Sequence, residues 1–273
     1  MQKVFVGGHP MAYSRAGRGE PVLLVHGILA HSFIWREVVP KLAERHDVVA
    51  VDLLGCGDST MPLNLSLSLK AQADYIAELV QWMGLGRVHF VGHEVGGAIG
   101  QVLAVRHPKT LRSLTLVNSV AGDLWPVFPI NALRTPMLRQ FVLSLLDAGL
   151  SGWLVRRALS HREKVTEPLM NEYHRPLQTL TGRRALLHFA RCLEAGDLTA
   201  VEPELRKLSV PVSVVWGTAD RYLPPATPER LVGTFPGSTL RRIVGAGHLV
   251  PIDEPAKLAE ALLEGFPRDA PAP

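Results

Sequence analysis

Residues 88–106 read VHFVGHEVGGAIGQVLAVR, a β-branched run that passes without a spacer into a glycine-rich turn. The pattern predicts a strand over 88–92, a sharp turn and then a helix over 98–106. Glycines two before and two after the central residue are needed because a larger side chain would collide across so tight a turn. The turn therefore presents one side chain, that of Glu94, at its tip.

On both sides of this turn, short β-branched runs alternate with amphipathic stretches. That alternation is typical of an α/β protein with a mostly parallel sheet and helices on both faces. From about residue 121 to residue 206, strand-like runs disappear and segments rich in leucine, arginine and tryptophan take their place. We predict a core formed by residues 1–120 and 207–266, a helical cap over 121–206 and a disordered tail over 267–273.

The composition is that of a globular protein with one large core: 273 residues, of which 47% are hydrophobic. The net charge is +4 and no run of five basic residues occurs, so we expect no nucleic-acid partner. The two cysteines, Cys56 and Cys192, favour a reducing compartment. No segment approaches the roughly 18 apolar residues that a membrane span needs. The sequence predicts a cytoplasmic protein without membrane contact and leaves its oligomeric state open.

Three further motifs follow other predicted strands. In the VHGI motif at residues 25–28 we expect the amide of Ile28 to pair with that of Val95 and hold a developing oxyanion. The WGTAD motif places Asp220 where an acid orients an imidazole. The GAGH motif ends in His248, which we predict to be catalytic. The chain order of Glu94, acid and histidine is that of an α/β hydrolase.

These four motifs, together with the loop DLLGCGDS at residues 52–59, resemble the α/β-hydrolase fold superfamily over nearly the whole chain. The resemblance implies a mostly parallel sheet of about eight strands with a helical cap above the pocket. It also implies a nucleophile, an acid and a histidine at Glu94, Asp220 and His248. Family members that hydrolyse esters carry serine at the first position, whereas epoxide hydrolases and dehalogenases carry aspartate, often after Gly-His.

Glutamate at this position departs from both patterns. A carboxylate is ionised at neutral pH, and its second oxygen can rest on the amides of Ile28 and Val95. Glu94 is then either a nucleophile, whose ester intermediate is cleaved by water that His248 activates, or a general base. Haloalkane dehalogenases that resemble this chain carry tryptophan or asparagine at the positions of Val95 and Ile28. Epoxide hydrolases carry paired lid tyrosines, where this insertion has only Tyr173.

We therefore predict a cofactor-independent hydrolase of a small apolar electrophile, an ester, lactone or epoxide in preference to a haloalkane. No histidine and carboxylate cluster has metal-ligand spacing. Three alternatives stay open: a lyase, isomerase or cyclase with Glu94 as base; a silent ligand-binding protein; and a glutamate introduced in place of a native serine or aspartate. The side chains expected to contact substrate are His93, Trp125, Phe128, Tyr173 and Leu249.

Overall fold

The computed structural model describes residues 1–125, 130–135, 138 and 150–267. Its centre is an eight-stranded sheet of order β1-β2-β4-β3-β5-β6-β7-β8. The pairs β1–β2 and β2–β4 are antiparallel and all other neighbouring strands are parallel. The strands are β1 Gln2–Val6, β2 His9–Ala16, β3 Glu20–Val25, β4 His46–Val51, β5 Val88–His93, β6 Leu111–Val117, β7 Val212–Gly217 and β8 Thr239–Ile243.

Helices cover the sheet, and several of them form one continuous insertion between β6 and β7. In the described part of the chain the helices outside this insertion are α1 Val39–Leu42, α2 Leu69–Trp82, α3 Val95–Arg106, α10 Thr227–Thr234, α11 Val250–Asp253 and α12 Pro255–Gly265. Those within it are α4 Ile130–Arg134, α5 Leu150–Ala158, α6 Glu167–His174, α7 Leu180–Cys192, α8 Ala195–Thr199 and α9 Glu202–Leu205. We call this insertion the cap. Residues 268–273 of the predicted tail lie outside the described residues.

The inner strands are apolar along their whole length because both faces of the sheet are covered. In β3 the four residues from Val22 to Val25 are fully buried, and β5 is buried at all six positions. Alternate residues of these strands enter two different hydrophobic clusters, one on each face. The predicted fold class, an α/β protein with a mostly parallel eight-stranded sheet and a helical insertion, is thus confirmed.

The carboxyl ends of the parallel strands lie at one edge of the sheet and carry all four motifs singled out in the sequence. β3 leads to Ile28, β5 to Glu94, β7 to Asp220 and β8 to His248. Open α/β sheets bind their ligands at this edge. Within the described ranges, no helix is both long enough and apolar enough to cross a bilayer.

The first turn of α3 packs directly against the backbone of β3. A Cβ atom added at Gly96 would lie 2.4 Å from the carbonyl oxygen of Val25, and one added at Gly92 would lie 2.4 Å from that of Gly96. Both neighbours are main-chain atoms in a buried sheet, which cannot move aside as a flexible side chain can. The two glycines therefore allow the strand and the helix to meet at the angle that exposes Glu94.

Replacing Gly96 by alanine is expected to destabilise the protein, whereas the same change at Gly233 is not. The ideal Cβ of Gly233, in α10, meets no atom within 4 Å. Gly96→Ala should lower the free energy of unfolding by about 1–3 kcal/mol through overpacking. Gly233→Ala should raise it by up to about 1 kcal/mol, since alanine favours a helix over glycine. Thermal and urea denaturation followed by circular dichroism measure both, and equal stability of the two variants would contradict the packing argument.

Candidate active site

Glu94 occupies the tip of the turn between β5 and α3 in a backbone conformation that few residues other than glycine adopt. Its φ is 51° and its ψ is −113°. The side chain is buried, and its Oε2 accepts a hydrogen bond from the amide of Ile28 at 2.8 Å. The amide of Val95 lies beside the carboxylate and, like that of Ile28, favours its charged form. The two amides expected to form an oxyanion site therefore face the carboxylate of Glu94 itself.

Gly27 makes this approach possible. A Cβ atom at Gly27 would lie 2.4 Å from Oε2 and 2.8 Å from Cβ of Glu94. The preceding residue, His26, is fully buried and ties the loop to the sheet, because its Nε2 accepts from the amide of Leu53 at 3.0 Å. Its Nδ1 donates to the carbonyl of Gly27 at 2.7 Å. The VHGI loop is thus held in place so that the amide of Ile28 points at the carboxylate.

His248 and Asp220 form a hydrogen-bonded pair at the ends of the next strands. Nδ1 of His248 donates to Oδ2 of Asp220 at 2.8 Å. The other oxygen of Asp220 accepts from the amides of Tyr222 and Leu223, at 2.7 and 3.1 Å. Because Nδ1 carries the proton that Asp220 accepts, Nε2 of His248 is left with the lone pair that a base requires.

A fourth hydrogen-bond partner of Asp220, Asn118, was not predicted from the sequence. Asn118, the residue after β6, donates through Nδ2 to Oδ2 of Asp220 at 2.7 Å and accepts through Oδ1 from the amide of Gly217 at 2.8 Å. It is fully buried and has a φ of 38°. Its position at a strand end beside the site was the signal that could have identified it. The side chain orients the acid and joins β6 to β7 at once.

The pKa values of the two carboxylates move in opposite directions. Burial alone would raise the pKa of Asp220, but the charge of His248 and the hydrogen bonds from His248 and Asn118 lower it to about 2. Burial dominates at Glu94 and raises its pKa despite the charge of His248 and the two amides. Burial alone would lower the pKa of His248, yet the charge of Asp220 and its hydrogen bond raise it. Asp220 is therefore a permanent anion, and Glu94 is the carboxylate whose protonation can change.

His93 stabilises the loop that carries His248 through a side-chain hydrogen bond. Its Nε2 donates to the carbonyl oxygen of His248 at 2.9 Å, and the two rings lie 5.0 Å apart. Burial, reinforced by the nearby charge of His248, lowers the pKa of His93 to about 3, so its ring is neutral at neutral pH. His93 borders the cavity above Glu94, as expected, but its hydrogen bond serves the protein.

The cavity above Glu94 lies between the strand ends and the cap and is mostly apolar. The described residues that line it are Ile28, Leu29, Ala30, His93, Glu94, Ile130, Leu133, Ser151, Leu154, Val155, Ala158, Tyr173, Leu177, Tyr222, Leu223, His248 and Leu249. Three of the expected substrate contacts, His93, Tyr173 and Leu249, are among them. Trp125 is not among them and is buried in the hydrophobic cluster on the α3 face of the sheet. Phe128 lies outside the described residues.

Two tyrosines are among the residues that line this apolar cavity. The hydroxyl of Tyr173, on α6, is buried and has no hydrogen-bond partner among the described residues. That of Tyr222, which the sequence did not single out, donates to the carbonyl of Leu154 in the cap at 2.7 Å. Over the described residues, no group of three or more metal-ligating side chains converges. The cavity therefore offers an apolar volume, an unpartnered hydroxyl, a buried carboxylate and an oriented imidazole.

Several known proteins resemble this chain over most of its length. The family model of the α/β hydrolase fold matches residues 20–255. An uncharacterized protein of Mycobacterium tuberculosis is 32% identical over 96% of this chain and 79% of its own length. Haloalkane dehalogenase 2 of Mycobacterium bovis is 28% identical over 93% of this chain and 90% of its own. The crystal structure of an α/β hydrolase fold protein from Burkholderia ambifaria has a TM-score of 0.88 at 27% identity, covering 96% and 97% of the two chains.

Replacing Asn118 by aspartate should destabilise the protein in a pH-dependent way, because a second carboxylate would then face Asp220. The folded-state pKa of the introduced group should lie above its unfolded value of about 4. The destabilisation is therefore absent below about pH 4, grows as the pH rises through the folded-state pKa, and reaches about 1–3 kcal/mol at neutral pH. Urea denaturation at pH 4 and pH 7 measures it. The exposed Asn64→Asp is the control, and a pH-independent loss would contradict the argument.

Proposed function

Because the chain belongs to the α/β-hydrolase fold family and is related to haloalkane dehalogenases and epoxide hydrolases, we propose that it hydrolyses a small apolar epoxide through an ester of Glu94. The observation that carries the proposal is the 2.8 Å hydrogen bond between the amide of Ile28 and Oε2 of Glu94. It favours a carboxylate nucleophile and limits the kind of carbon that the carboxylate attacks.

An amide already bound to Glu94 cannot stabilise a substrate oxygen in the first step. Attack on an ester or lactone carbonyl needs such stabilisation at once, because the carbonyl oxygen becomes an anion. Attack on a saturated carbon does not, since the charge develops on the leaving group instead. In the second step the carbonyl oxygen of the Glu94 ester becomes the oxyanion, and Ile28 and Val95 are already in contact with it. The arrangement therefore favours an epoxide over an ester or a lactone.

The lining of the cavity disfavours a halide as the leaving group. Haloalkane dehalogenases resembling this chain use tryptophan or asparagine side chains to hold the departing halide. Neither residue type occurs among the described lining residues, and the corresponding positions hold Ile28 and Val95. An epoxide oxygen instead needs a proton donor as the ring opens. The buried hydroxyl of Tyr173 is free to donate, and burial raises its pKa, so that it stays protonated until the epoxide oxygen takes the proton.

The reaction then proceeds in two balanced steps. A carboxylate oxygen of Glu94 forms a bond to one epoxide carbon, the carbon–oxygen bond of the ring breaks, and the released oxygen takes the proton of Tyr173. Nε2 of His248 then removes a proton from water, and the hydroxide adds to the carbonyl carbon of the ester. The resulting oxyanion rests on the amides of Ile28 and Val95. Collapse of the oxyanion breaks the carbon–oxygen bond of the ester, and the leaving alkoxide takes the proton of the hydroxyl just added to Glu94, which frees the diol and the Glu94 carboxylate. The proton held by His248 passes to the phenolate of Tyr173.

One observation favours a second candidate, direct general-base catalysis. Burial raises the pKa of Glu94 and so makes its carboxylate a stronger base than an exposed glutamate. In that route Glu94 activates water or removes a substrate proton and forms no bond to carbon. The two routes differ in where an oxygen atom of water first appears. In the covalent route the water oxygen first enters the carboxylate of Glu94, and in the general-base route it enters the product.

A single turnover of styrene oxide in ¹⁸O-enriched water is therefore expected to label the peptide that carries Glu94. Mass spectrometry of that peptide detects the label. Glu94→Gln should reduce kcat by at least about 10³-fold, because an amide is neither a nucleophile nor a base. His248→Ala should block the second step and leave a substrate adduct on the same peptide. The activity should also be lost as the pH is lowered. The midpoint of this loss should lie above 4.5, the ordinary pKa of a glutamate, since the pKa of Glu94 is raised.

Label in the diol alone, with no adduct in His248→Ala, would replace the covalent route by the general-base route. Equal turnover of the wild-type chain and Glu94→Gln would remove Glu94 from the mechanism. A panel of nitrophenyl esters, lactones and haloalkanes should be run beside the epoxide. A kcat/KM for any of these above that for styrene oxide and its alkyl-substituted analogues would contradict the epoxide assignment.

The role of Tyr173 is tested by removing its hydroxyl alone. Tyr173→Phe should lower kcat for epoxides by about 10²–10⁴-fold, the usual contribution of a general acid, while binding changes little. Tyr13→Phe is a matched control, since Tyr13 is also 7% exposed but lies in β2, away from the cavity. Rapid-quench measurement of the Glu94 adduct should show slow formation in Tyr173→Phe. Unchanged adduct formation would assign the proton to another donor.

A further inference from the structure

A third buried carboxylate lies beside the loop of the catalytic histidine and, unlike Glu94 and Asp220, takes no part in the reaction steps above. Asp253, the last residue of α11, is 3% exposed. Its Oδ2 accepts from the amides of Gly247 and Ser160, at 2.7 and 3.0 Å, and its Oδ1 accepts from the amide of His161 at 3.1 Å. Among the described residues no basic side chain forms an ion pair with it. The buried charge is balanced by main-chain amides.

Those amides belong to two segments that are far apart in the sequence. Gly247 immediately precedes His248, while Ser160 and His161 follow the end of α5 in the cap. The carbonyl oxygen of Ala158, the last residue of α5, accepts from the amide of His248 at 2.8 Å and from that of Leu249 at 3.3 Å. The histidine loop and the end of the cap helix are thus joined by hydrogen bonds on both sides of Asp253.

The two segments are packed without spare room. A Cβ atom at Gly247 would lie 2.4 Å from the carbonyl oxygen of Ala158 and 2.9 Å from Oδ2 of Asp253. A small shift of α5 would therefore move the backbone of His248. The same helix contributes Leu154, Val155 and Ala158 to the cavity wall. The position of the cavity wall formed by α5 and the orientation of the His248 imidazole are therefore linked through a few main-chain contacts.

We propose that Asp253 is a positioning residue that holds the loop of the catalytic histidine against the end of α5. His248 is then oriented toward Asp220 only while α5 is packed against this loop. That His248 takes part in turnover rests on the proposed function, whereas its positioning does not. A carboxylate is suited to this task because each oxygen accepts several hydrogen bonds, and bonds from amides to an anion are stronger than those to a neutral acceptor. An apolar residue here would leave three buried amides without a partner.

Two variants of Asp253 should disturb the position of His248 to different extents. Asp253→Asn keeps one carbonyl oxygen, which can still accept from Gly247 and Ser160, but it loses the bond from His161. Asp253→Ala loses all three. The pKa of His248 is raised by its contact with Asp220, so loosening the loop should lower that pKa toward the ordinary 6.5, more in the alanine variant than in the asparagine variant. The groups that face the imidazole are Asp220, Glu94, His93 and Tyr222.

Histidine NMR titration measures this pKa, with the His248 resonance assigned from its absence in His248→Ala. The control is Asp47→Asn, which removes a carboxylate bound to Arg15 at the opposite end of the sheet. Asp47→Asn should reduce thermal stability and leave the pKa of His248 unchanged. With styrene oxide, kcat should fall by up to about 10²-fold in Asp253→Ala at nearly constant KM, as expected for a misplaced catalytic group.

A pKa of His248 that is unchanged in both Asp253 variants, with stability reduced as in Asp47→Asn, would overturn the inference and leave Asp253 a structural residue. If the alanine variant does not fold, the asparagine variant carries the test alone. A lowered pKa of His248 together with no epoxide turnover by the wild-type chain would support the positioning role and reject the proposed function. The two claims can therefore fail separately.

Discussion

The hydrogen bond between the amide of Ile28 and the carboxylate of Glu94 is the contact around which the site is organised. It joins the ends of two neighbouring strands, β3 and β5, and it requires backbone atoms to approach a charged side chain closely. Gly27 is needed because any Cβ there would overlap the carboxylate. The strained φ of 51° at Glu94 is needed because an ordinary helical start would turn the side chain away. The buried sheet stabilises this strain by fixing both strand ends.

Glu94 and Asp220 are both buried carboxylates near one imidazole, yet their surroundings give them different chemistry. Asp220 accepts four hydrogen bonds, from the side chains of His248 and Asn118 and the amides of Tyr222 and Leu223. Glu94 is held by two amides. A carboxylate that is fully hydrogen-bonded keeps its charge, whereas one that is less satisfied in an apolar cavity is more basic and more reactive. The number of donors thus separates an orienting anion from a reactive one.

The sequence predicted what is local and missed what depends on distant contacts. The elbow, the strand ends and the order of Glu94, Asp220 and His248 follow from glycine spacing and β-branched runs, which act over a few residues. Asn118 lies 102 positions from Asp220, and only the pairing of β6 with β7 brings them together. Trp125 was expected to contact substrate because it lies in the insertion, but it is buried in the hydrophobic cluster on the α3 face of the sheet. The sequence of such an insertion has no periodic pattern that distinguishes residues lining the cavity from residues packed in the hydrophobic core.

The cap is tied to the core by polar contacts as well as by apolar packing, and this bears on how a substrate is selected. Leu154 accepts from Tyr222, Arg175 pairs with Asp58 at 2.6 Å, and His188 donates to the carbonyl of Leu65 at 2.7 Å. The described part of the cap is held at several places before substrate arrives, so little conformational entropy of these residues is lost on binding. Selection then depends on the shape of the apolar wall and on its few polar groups, among them the hydroxyl of Tyr173, which has no hydrogen-bond partner among the described residues. A small substrate with few polar atoms fits that arrangement, because each buried polar atom needs a donor or acceptor and the wall offers few of them.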